Sequence, residues 1–545
     1  MATDHLLTWL IFIPLIAALV MVLVPQNKAH VHKWIALVAM GLATTLTLVL
    51  VFSFDSGLEG YGAGSLQFSQ QLDWISLSVG SFGSLSIQYY VGVDGLSLAL
   101  VLLSAIILLI GVISSWNITK SIKGYFILYM VLSSSVIGCF VALDFFLFYL
   151  FFEFMLLPMY FLIGIWGGKR RAYASIKFFI YTLVGSLLIL MVMIGLSLSV
   201  VQELDSSVHT FDIMKMMYPE NFIPGSLLSI DFNGLFLGLT YRGWAFILLI
   251  AGFAIKLPAV PVHTWLPDAH VEAPTPISVV LAGILLKIGG YGFYRIAYTI
   301  FPDGALQYGW WIALIGVVAI VYAAFVAMAQ ADLKRLIAYS SVSHMGFVML
   351  GMASLTAEGS SGALFQMFSH GIISALLFLM AGVLYDRTGD RMIANYSGLA
   401  TKMPLFTVAI IMSFFAALGL PGFSGFIAEF LVLIGAFDGA VNGGIVEIFM
   451  PILGLFGLVL GAAYFLWTIQ RMFFGKFWVK EEGWQLPDLN TRELIMIVPL
   501  VLLTLLFGIF PGLLLDLANE TVMGFVDFVK TQGKQNLEII NALAR

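Results

Sequence analysis

The sequence predicts an all-α polytopic membrane protein with about 14 transmembrane helices. Hydrophobic residues make up 61% of the 545 residues and charged residues only 10%, whereas soluble proteins carry about 25% charged residues. The mean hydropathy is +1.02. Because one span needs roughly 20 apolar residues, the apolar segments cover nearly the whole chain. They leave no room for a sizeable soluble domain.

Apolar runs of spanning length define the predicted helices in chain order. They cover 5–24, 33–53, 92–113, 124–143, 144–166, 174–200, 242–267, 275–299, 308–329, 333–355, 361–385, 404–437, 449–474 and 493–515. The fourth and fifth abut at Leu143 and Asp144, so this boundary is the weakest. A count of 13 would invert every later span.

Positive side chains in short loops mark the cytoplasmic side of a membrane protein. With 14 spans most lysines and arginines fall on one side, as in loops 120–123 and 169–171, and with 13 spans this asymmetry largely dissolves. The charges therefore predict both termini on the outer face, and the long outer loops favour a bacterial inner membrane, whose outer face is periplasmic. The long loops 54–91 and 201–241 then lie on the outer face and could form a small hairpin.

The chain divides into four predicted regions. Residues 1–123 form an N-terminal three-helix region with an outer loop, and 476–545 hold the last span and a C-terminal amphipathic segment. The predicted units 124–299 and 308–475 have five helices each. Each contains a broken helix with an ionisable residue, the seventh and the twelfth, at matching positions, as in transporters built from inverted repeats.

The stretch from Gly252 to Arg295 carries two lysines within apolar runs, Lys256 and Lys287. A charge near the bilayer centre costs roughly 2.5–3.5 kcal/mol. Pro258 and Pro261 should break the seventh helix beside Lys256, and broken backbone at this depth is tolerated only where protein or water surrounds it. An intramembrane lysine at a helix break indicates an ion path; the alternative is a lysine that snorkels to the interface.

Two glutamates lie inside other predicted spans. Glu153 is the only charged residue between Asp144 and Lys169. A buried glutamate and a buried lysine stabilise each other's charged forms, so a Glu153–Lys256 pair that opens and closes would be a proton switch; a static ion pair is the alternative. Glu429 lies in a run that Pro421 and nearby glycines interrupt. It is either a second buried proton carrier or a helix-end carboxylate.

Three histidines lie in or near spans, namely His263, His344 and His370. Neutral imidazole can accept and donate a proton at once, which suits a relay near neutral pH. Each could equally be a hydrogen-bonded core residue, and His263 is the weakest candidate.

Other functions lack support in the sequence. There is no G-x-G-x-x-G or G-x-x-x-x-G-K-[ST] motif for nucleotides, and no basic patch with interleaved aromatics that would predict nucleic-acid binding. The single cysteine, Cys139, excludes internal disulfides and Cys-ligated clusters within this chain. No metal or cofactor site is predicted, so the driving energy must come from a partner or an ion gradient.

The run KLPAVPVHTWLPDAHVEAPTPISVVLAGILLKIGGYG resembles the signature of the antiporter-like proton-translocating subunits of respiratory complex I, which are related to multi-subunit cation/proton antiporters. FFEFMLLPMYFLIG, YSSVSHMGF and LGLPGFSGFIAEF are similar to other motifs of that family. The resemblance covers nearly the whole chain.

The resemblance implies roles for the buried ionisable residues. Glu153 matches the fifth-helix glutamate, Lys256 its partner lysine and Lys287 the central lysine of the eighth helix. Glu429 stands at the twelfth-helix exit position, where one branch of the family carries glutamate and two carry lysine. This residue, and the short segment after the last span, favour the glutamate branch.

The resemblance also implies partners. A subunit of NADH:quinone oxidoreductase would contact neighbouring antiporter-like subunits and lipid, while FMN, iron–sulfur clusters and quinone would be held by partner subunits. Three alternatives stay open: a subunit of a sodium/proton antiporter, a subunit of a membrane-bound hydrogenase, or a scaffold whose buried charges only fix packing.

Overall fold

The computed structural model describes residues 5–78, 80, 83–203, 207–232 and 234–543 and is mainly helical. The helices, in chain order, are α1 Leu6–Leu23, α2 Ala29–Ser53, α3 Gly95–Ser114, α4 Ile122–Val141, α5 Phe145–Phe154, α6 Leu156–Trp166, α7 Arg171–Ser199, α8 Ile213–Met216, α9 Tyr241–Lys256, α10 Trp265–Glu272, α11 Thr275–Val280, α12 Leu286–Gly292, α13 Pro302–Met328, α14 Leu333–Ser354, α15 Ala357–Thr388, α16 Pro404–Ala417, α17 Ser424–Val441, α18 Phe449–Phe473, α19 Thr491–Ile509 and α20 Gly512–Leu543.

Among the described residues, 13 helices are long and apolar enough to cross a membrane. The seventh predicted span is not one of these, because it is broken into α9 and α10 and α9 has only 16 residues. The twelfth is broken into α16 and α17. Every predicted span thus corresponds to a helix or a broken helix. The all-α membrane fold is confirmed, whereas the inverted relation of the two units and the four region boundaries stay predictions.

The boundary between the fourth and fifth spans is a short extended link. α4 ends at Val141 and α5 begins at Phe145. The Asp144 carboxylate accepts a hydrogen bond from the backbone N–H of Leu147, at 2.9 Å, and from that of Gln88, at 3.0 Å. The first of these bonds caps α5. Asp144 therefore ends one helix region and starts the next, which separates two spans that the sequence leaves nearly continuous.

The two long loops meet in one small sheet. Strand β1 (Gln67–Ser78) pairs antiparallel with β2 (Ser84–Val93), and β3 (Val208–Thr210) from the second loop pairs parallel with β2. The predicted hairpin is present, with a third strand from the other loop. Shorter two-stranded pairs are β4 (Leu235–Phe236) with β5 (Leu239–Thr240), and β6 (Tyr396–Ser397) with β7 (Trp478–Val479).

The centre of the molecule consists of Thr275–Tyr298 and α15, each of which has an 18-residue apolar stretch that is completely buried. α20 packs along α3, α13 and α15 through one apolar face that includes Val522, Phe525 and Val529. The predicted amphipathic segment is therefore a docked helix. α1, α2, α7 and α18 lie at the periphery and expose apolar side chains, as expected for helices that face lipid.

Two buried ion pairs fix the helix ends beside the small sheet. Arg242, at the start of α9, contacts Asp303 of α13 at 2.7 Å. Arg295 pairs with Asp94, which caps α3. Each arginine has further hydrogen bonds, which a buried charge requires. These pairs hold the two central lysine-bearing segments against their neighbours.

The predicted orientation can be tested because the native cysteine, Cys139, is fully buried. Cysteine substitutions at the exposed residues Lys169 and Glu59 should react with a membrane-impermeant maleimide from opposite sides. We expect labelling of Glu59→Cys in spheroplasts and of Lys169→Cys in inverted vesicles. The unsubstituted chain serves as background. The opposite pattern would show that the termini are cytoplasmic.

Candidate functional site

Lys256 is the last residue of α9, where the seventh span breaks. The chain resumes as a helix at Trp265. Local hydrogen bonds satisfy backbone groups at the break: Ala259 N–H donates to the Ala254 carbonyl at 2.8 Å, and the Trp265 indole donates to the Ile255 carbonyl at 2.9 Å. Irregular backbone inside a membrane protein requires such internal partners.

Glycines on neighbouring helices allow the broken segment to pack closely. A Cβ atom on Gly289 of α12 would lie 2.6 Å from the Leu257 backbone nitrogen and 2.8 Å from the Phe253 carbonyl oxygen. On the other side, a Cβ on Gly252 would lie 2.7 Å from the Gly185 carbonyl. Because the backbones approach this closely, neither Gly289 nor Gly252 has room for a side chain. The position of Lys256 is therefore set by contacts that only glycine permits.

The Lys256 ammonium group lies in an aromatic pocket. Lys256 is 1% exposed, and within the described part of the chain its Nζ has no hydrogen-bond partner. The Phe152 and Phe178 rings lie 4.8 and 5.8 Å from Nζ, at cation–π distances. Within the described residues, Glu153 makes no hydrogen bond with the Lys256 ammonium group. Oε1 of Glu153 is likewise buried without a partner.

Lys287 lies in α12 between two π-helical turns, Leu281–Leu285 and Phe293–Tyr298. It is 0% exposed. Its Nζ donates to the Ala282 carbonyl at 2.5 Å and contacts Nδ1 of His370 on α15 at 2.8 Å. Because an ammonium group only donates hydrogen bonds, His370 Nδ1 accepts when Lys287 is charged. The His370 proton then sits on Nε2.

A second set of contacts leads from His370 to Glu429. The rings of His370 and His344 are 5.5 Å apart, and His344 Nδ1 lies 3.2 Å from Glu429 Oε1. Gln366 Nε2 also lies 3.2 Å from His344 Nδ1. We call Lys287, His370, His344 and Glu429 the polar row. It passes through α12, α15, α14 and α17 in turn.

Glu429 lies just after the break in the twelfth span. It is 3% exposed. Gly419, in the break, has φ +72°, and a Cβ there would lie 2.2 Å from Glu429 Oε2. Because Gly419 has no side chain, the Glu429 carboxylate can occupy this space. Each of the two predicted terminal carriers thus lies near a helix break, with Lys256 before the first break and Glu429 after the second.

The structure brings four of the six predicted site residues together and leaves two apart. Lys256 and Glu153 contact neither each other nor the polar row, within the described residues. His263 packs beside the Tyr322 and Tyr339 rings instead, at 5.6 and 6.1 Å between ring centroids. The roles of the six residues stay predictions.

Gln366 and the burial of Lys334 are not predicted from the sequence. Gln366 precedes His370 by four residues on α15, a spacing that places both side chains on one helix face and could have revealed it. In the sequence, Lys334 is only one of the positive residues on the predicted cytoplasmic side. It is 2% exposed and donates to the Ala273 carbonyl at 3.3 Å.

Residues 142–454 match the protein family described as NADH:quinone oxidoreductase/Mrp antiporter, TM. The chain belongs to this family. It is 41% identical to NADH-quinone oxidoreductase subunit M of Rhodobacter capsulatus over 96% of both chains. It is 40% identical to F(420)H(2) dehydrogenase subunit M of Methanosarcina mazei, over 90% of this chain and 92% of the other.

Among solved structures, the fold is similar to a chain of respiratory complex I from Thermus thermophilus with bound NADH. The TM-score is 0.79 at 28% identity, over 96% of this chain and 99% of that chain. Glu429 predicts that the chain belongs to the glutamate branch of the family, which is called subunit M in complex I. The names of both sequence relatives confirm that prediction.

The glycine contact at the seventh span gives a stability prediction. Gly289→Ala should displace α9 from α12, because the added Cβ meets backbone at 2.6 Å, at a cost of about 1–3 kcal/mol. Gly41→Ala on α2 is the matched control, since nothing lies within 4 Å of its Cβ position. Thermal denaturation of the purified assembly should show a lower midpoint for Gly289→Ala only. Equal midpoints would refute the close-packing argument.

Proposed function

We propose that this chain is a proton-translocating membrane subunit of an NADH:quinone oxidoreductase. The polar row is the observation that carries the proposal. Four ionisable side chains from four helices form a sequence of contacts inside an apolar protein, between the central lysine and the break in the twelfth span. Buried ionisable groups in membrane proteins are costly and mark ion pathways. The similarity to subunit M of Rhodobacter capsulatus supports the particular complex.

Protons enter from the cytoplasm and load Lys256 under the influence of Glu153. They then reach Lys287, pass along His370 and His344 to Glu429, and leave on the outer face. Histidine suits the middle positions because its neutral ring accepts a proton at one nitrogen and donates from the other. The step from Lys256 to Lys287 needs water, since the two ammonium groups share no contact within the described residues.

The energy comes from other subunits. Moving one proton against 100 mV costs about 2.3 kcal/mol, and redox chemistry in partner subunits that hold FMN, iron–sulfur clusters and quinone supplies it. The partners in the bilayer are the neighbouring antiporter-like subunits. The location is a bacterial inner membrane, with both termini on the outer face.

The second candidate is a subunit of a multi-subunit sodium/proton antiporter, and the family description, which includes the Mrp antiporter, supports it. The same lysine and glutamate set would serve that function. A hydrogenase subunit is a further alternative. Neighbouring genes for flavin and iron–sulfur subunits would favour the oxidoreductase, and a nickel–iron partner the hydrogenase.

Lys256→Ala tests the first half of the path. We expect assembled complex with sharply reduced quinone reduction and NADH-driven proton uptake into inverted vesicles, because an obligatory carrier is missing. A native gel stained for NADH oxidation checks assembly. Lys534→Ala, an exposed lysine on α20, is the control and should pump normally. A normal rate and proton yield for Lys256→Ala would leave the scaffold interpretation standing.

Gly419→Ala tests Glu429 without changing any charge. The added methyl group would lie 2.2 Å from Oε2 and must move the carboxylate away from His344. We expect pumping to fall at least severalfold in an assembled complex. Gly443→Ala shares the same φ of +72° but has nothing within 4 Å, so it reports backbone strain alone. Equal pumping by the two variants would show that the position of Glu429 is unimportant.

A further inference from the structure

The Nδ1 atom of His344 has two neighbours that compete for it. Nε2 of Gln366 on α15 and Oε1 of Glu429 on α17 each lie 3.2 Å from this nitrogen. A nitrogen of the imidazole ring carries either one hydrogen or one lone pair in the ring plane. Only one of the two contacts is therefore a well-directed hydrogen bond at a given time, and the position of the proton decides which one forms.

Gln366 can pair with His344 in either tautomer. Its amide N–H groups donate to Nδ1 when this nitrogen has a lone pair, and its Oε1 accepts from Nδ1 when the nitrogen has a hydrogen. The Gln366 side chain is 2% exposed, and its Oε1 is buried without a hydrogen-bond partner in the described part of the chain. This free oxygen is the group that would face Nδ1 after the amide turns by half a rotation.

The helix places Gln366 beside the path but not on it. Gln366 precedes His370 by four residues on α15, so the two side chains lie on one helix face. The rings of His370 and His344 are 5.5 Å apart, and the apolar stretch of α15 is completely buried. Gln366 therefore reaches His344 at the step where the polar row passes to Glu429, and it contributes no ionisable group of its own.

The Glu429 carboxyl group has one oxygen on each side of this step. Oε1 faces His344, whereas Oε2 lies at the break in the twelfth span, 2.2 Å from the position of a Cβ added to Gly419. A proton received at Oε1 leaves from the Oε2 side once the carboxyl group turns. It can also return to Nδ1, because that nitrogen then has a free lone pair. Release in one direction needs a group that occupies this lone pair.

We propose that Gln366 is a positioning residue that prevents the return of a proton from Glu429 to His344. The inference rests on the proposed function and concerns its last step. After Nδ1 has given its proton to Glu429, the Gln366 amide donates to the vacated lone pair and holds the ring as the Nε2–H tautomer. Before the next transfer the amide turns, and its oxygen accepts from Nδ1–H. Gln366 neither gains nor loses a proton, so protons are conserved.

Packing alone does not explain this arrangement. A glutamine that only stabilised the helix contacts would have both ends of its amide bonded, as buried polar groups normally do. Methionine would fill similar space on α15 without an unpaired oxygen, which is unfavourable in the interior. The unpaired Oε1 is accounted for if the amide uses its two ends in turn.

Gln366→Met in the complete complex, in inverted vesicles, tests the inference. Methionine has a similar length and no hydrogen to donate. Pumped protons accumulate in the lumen of these vesicles, where return through Glu429 would begin. We expect normal assembly and an uncoupled rate of quinone reduction within about twofold of the unsubstituted complex, but a steady-state ratio of proton concentrations across the membrane that is roughly fivefold lower, because one hydrogen bond sets about this preference. Leu377→Met, at another buried position of α15, is the matched control and should build a normal gradient.

Infrared spectroscopy of the same samples separates this role from a structural one. The C=O stretch of protonated Glu429 is identified by its loss in Glu429→Gln. With Nδ1 occupied by Gln366, the Glu429 O–H makes no bond to His344, whereas in Gln366→Met it donates to Nδ1 and the band moves to lower wavenumber. An unchanged band or an unchanged gradient in Gln366→Met overturns the inference. A proportional fall of gradient and uncoupled rate also overturns it, because that pattern indicates damaged packing.

Two further variants make the outcome unambiguous. If Gln366→Met fails to assemble, Gln366→Glu replaces it, since glutamate has the same shape and, when ionised, accepts hydrogen bonds but donates none. A normal gradient in this variant overturns the inference, and a low gradient with a normal uncoupled rate supports it. Normal pumping by Lys287→Ala refutes the proposed function itself, whereas loss of pumping in Lys287→Ala with a normal gradient in Gln366→Met refutes only the role of Gln366.

Discussion

The contact between the Lys287 ammonium and the His370 ring is the interaction on which the candidate path depends. A buried lysine has few ways to satisfy three donors, and here one goes to the Ala282 carbonyl and one to His370. The Ala282 carbonyl lies in the π-helical turn Leu281–Leu285 that precedes α12. Such turns widen the helix and free carbonyl groups from the regular ladder. The irregular helix thus provides the partner that keeps a charge at the centre of the protein.

The two lysines of the central stretch differ in their partners, and this difference suits different tasks. Lys287 is held by a carbonyl and an imidazole, whereas the Lys256 ammonium group faces aromatic rings. Ring faces attract a cation without accepting its proton. Lys256 can therefore change its charge in response to Glu153 or an arriving proton with little rearrangement of hydrogen bonds. In the proposed function, Lys287 would pass its proton through its fixed contact with His370.

Much of the fold could be predicted from the sequence, because a span of the bilayer requires a long apolar segment. A proline, glycine or charge that interrupts such a segment is therefore visible in the sequence. Pro258 and Pro261 predict the break in the seventh span, and Pro421 and its neighbouring glycines the break in the twelfth. The pairing of the outer loops through β2 and β3 could not be predicted, since it joins only three residues of each strand and so short a match carries no recognisable pattern.

The candidate site was predictable as a set of residues but not as a sequence of contacts. A charge or histidine inside an apolar run is visible in the chain, and this is how Lys287, His370 and Glu429 are found. Which of them touch depends on how α12, α15 and α17 cross. The sequence therefore suggests a Glu153–Lys256 pair that the structure keeps apart. The spacing of Gln366 from His370 places both on one face of α15, but it does not show that Gln366 contacts His344.

The composition of the polar row explains how a buried path can carry protons without an uncompensated charge. When Lys287 and Glu429 are both ionised and the two histidines between them are neutral, the charges of the row cancel. Transfer of one proton from Lys287 to Glu429 leaves all four groups neutral, so the net charge of the row does not change. An extra proton makes the row positive, which the low dielectric penalises. A positive charge that arrives at Lys256 raises this penalty further. In the proposed function, the row would therefore release its proton at the Glu429 end, farthest along the contacts from the lysines.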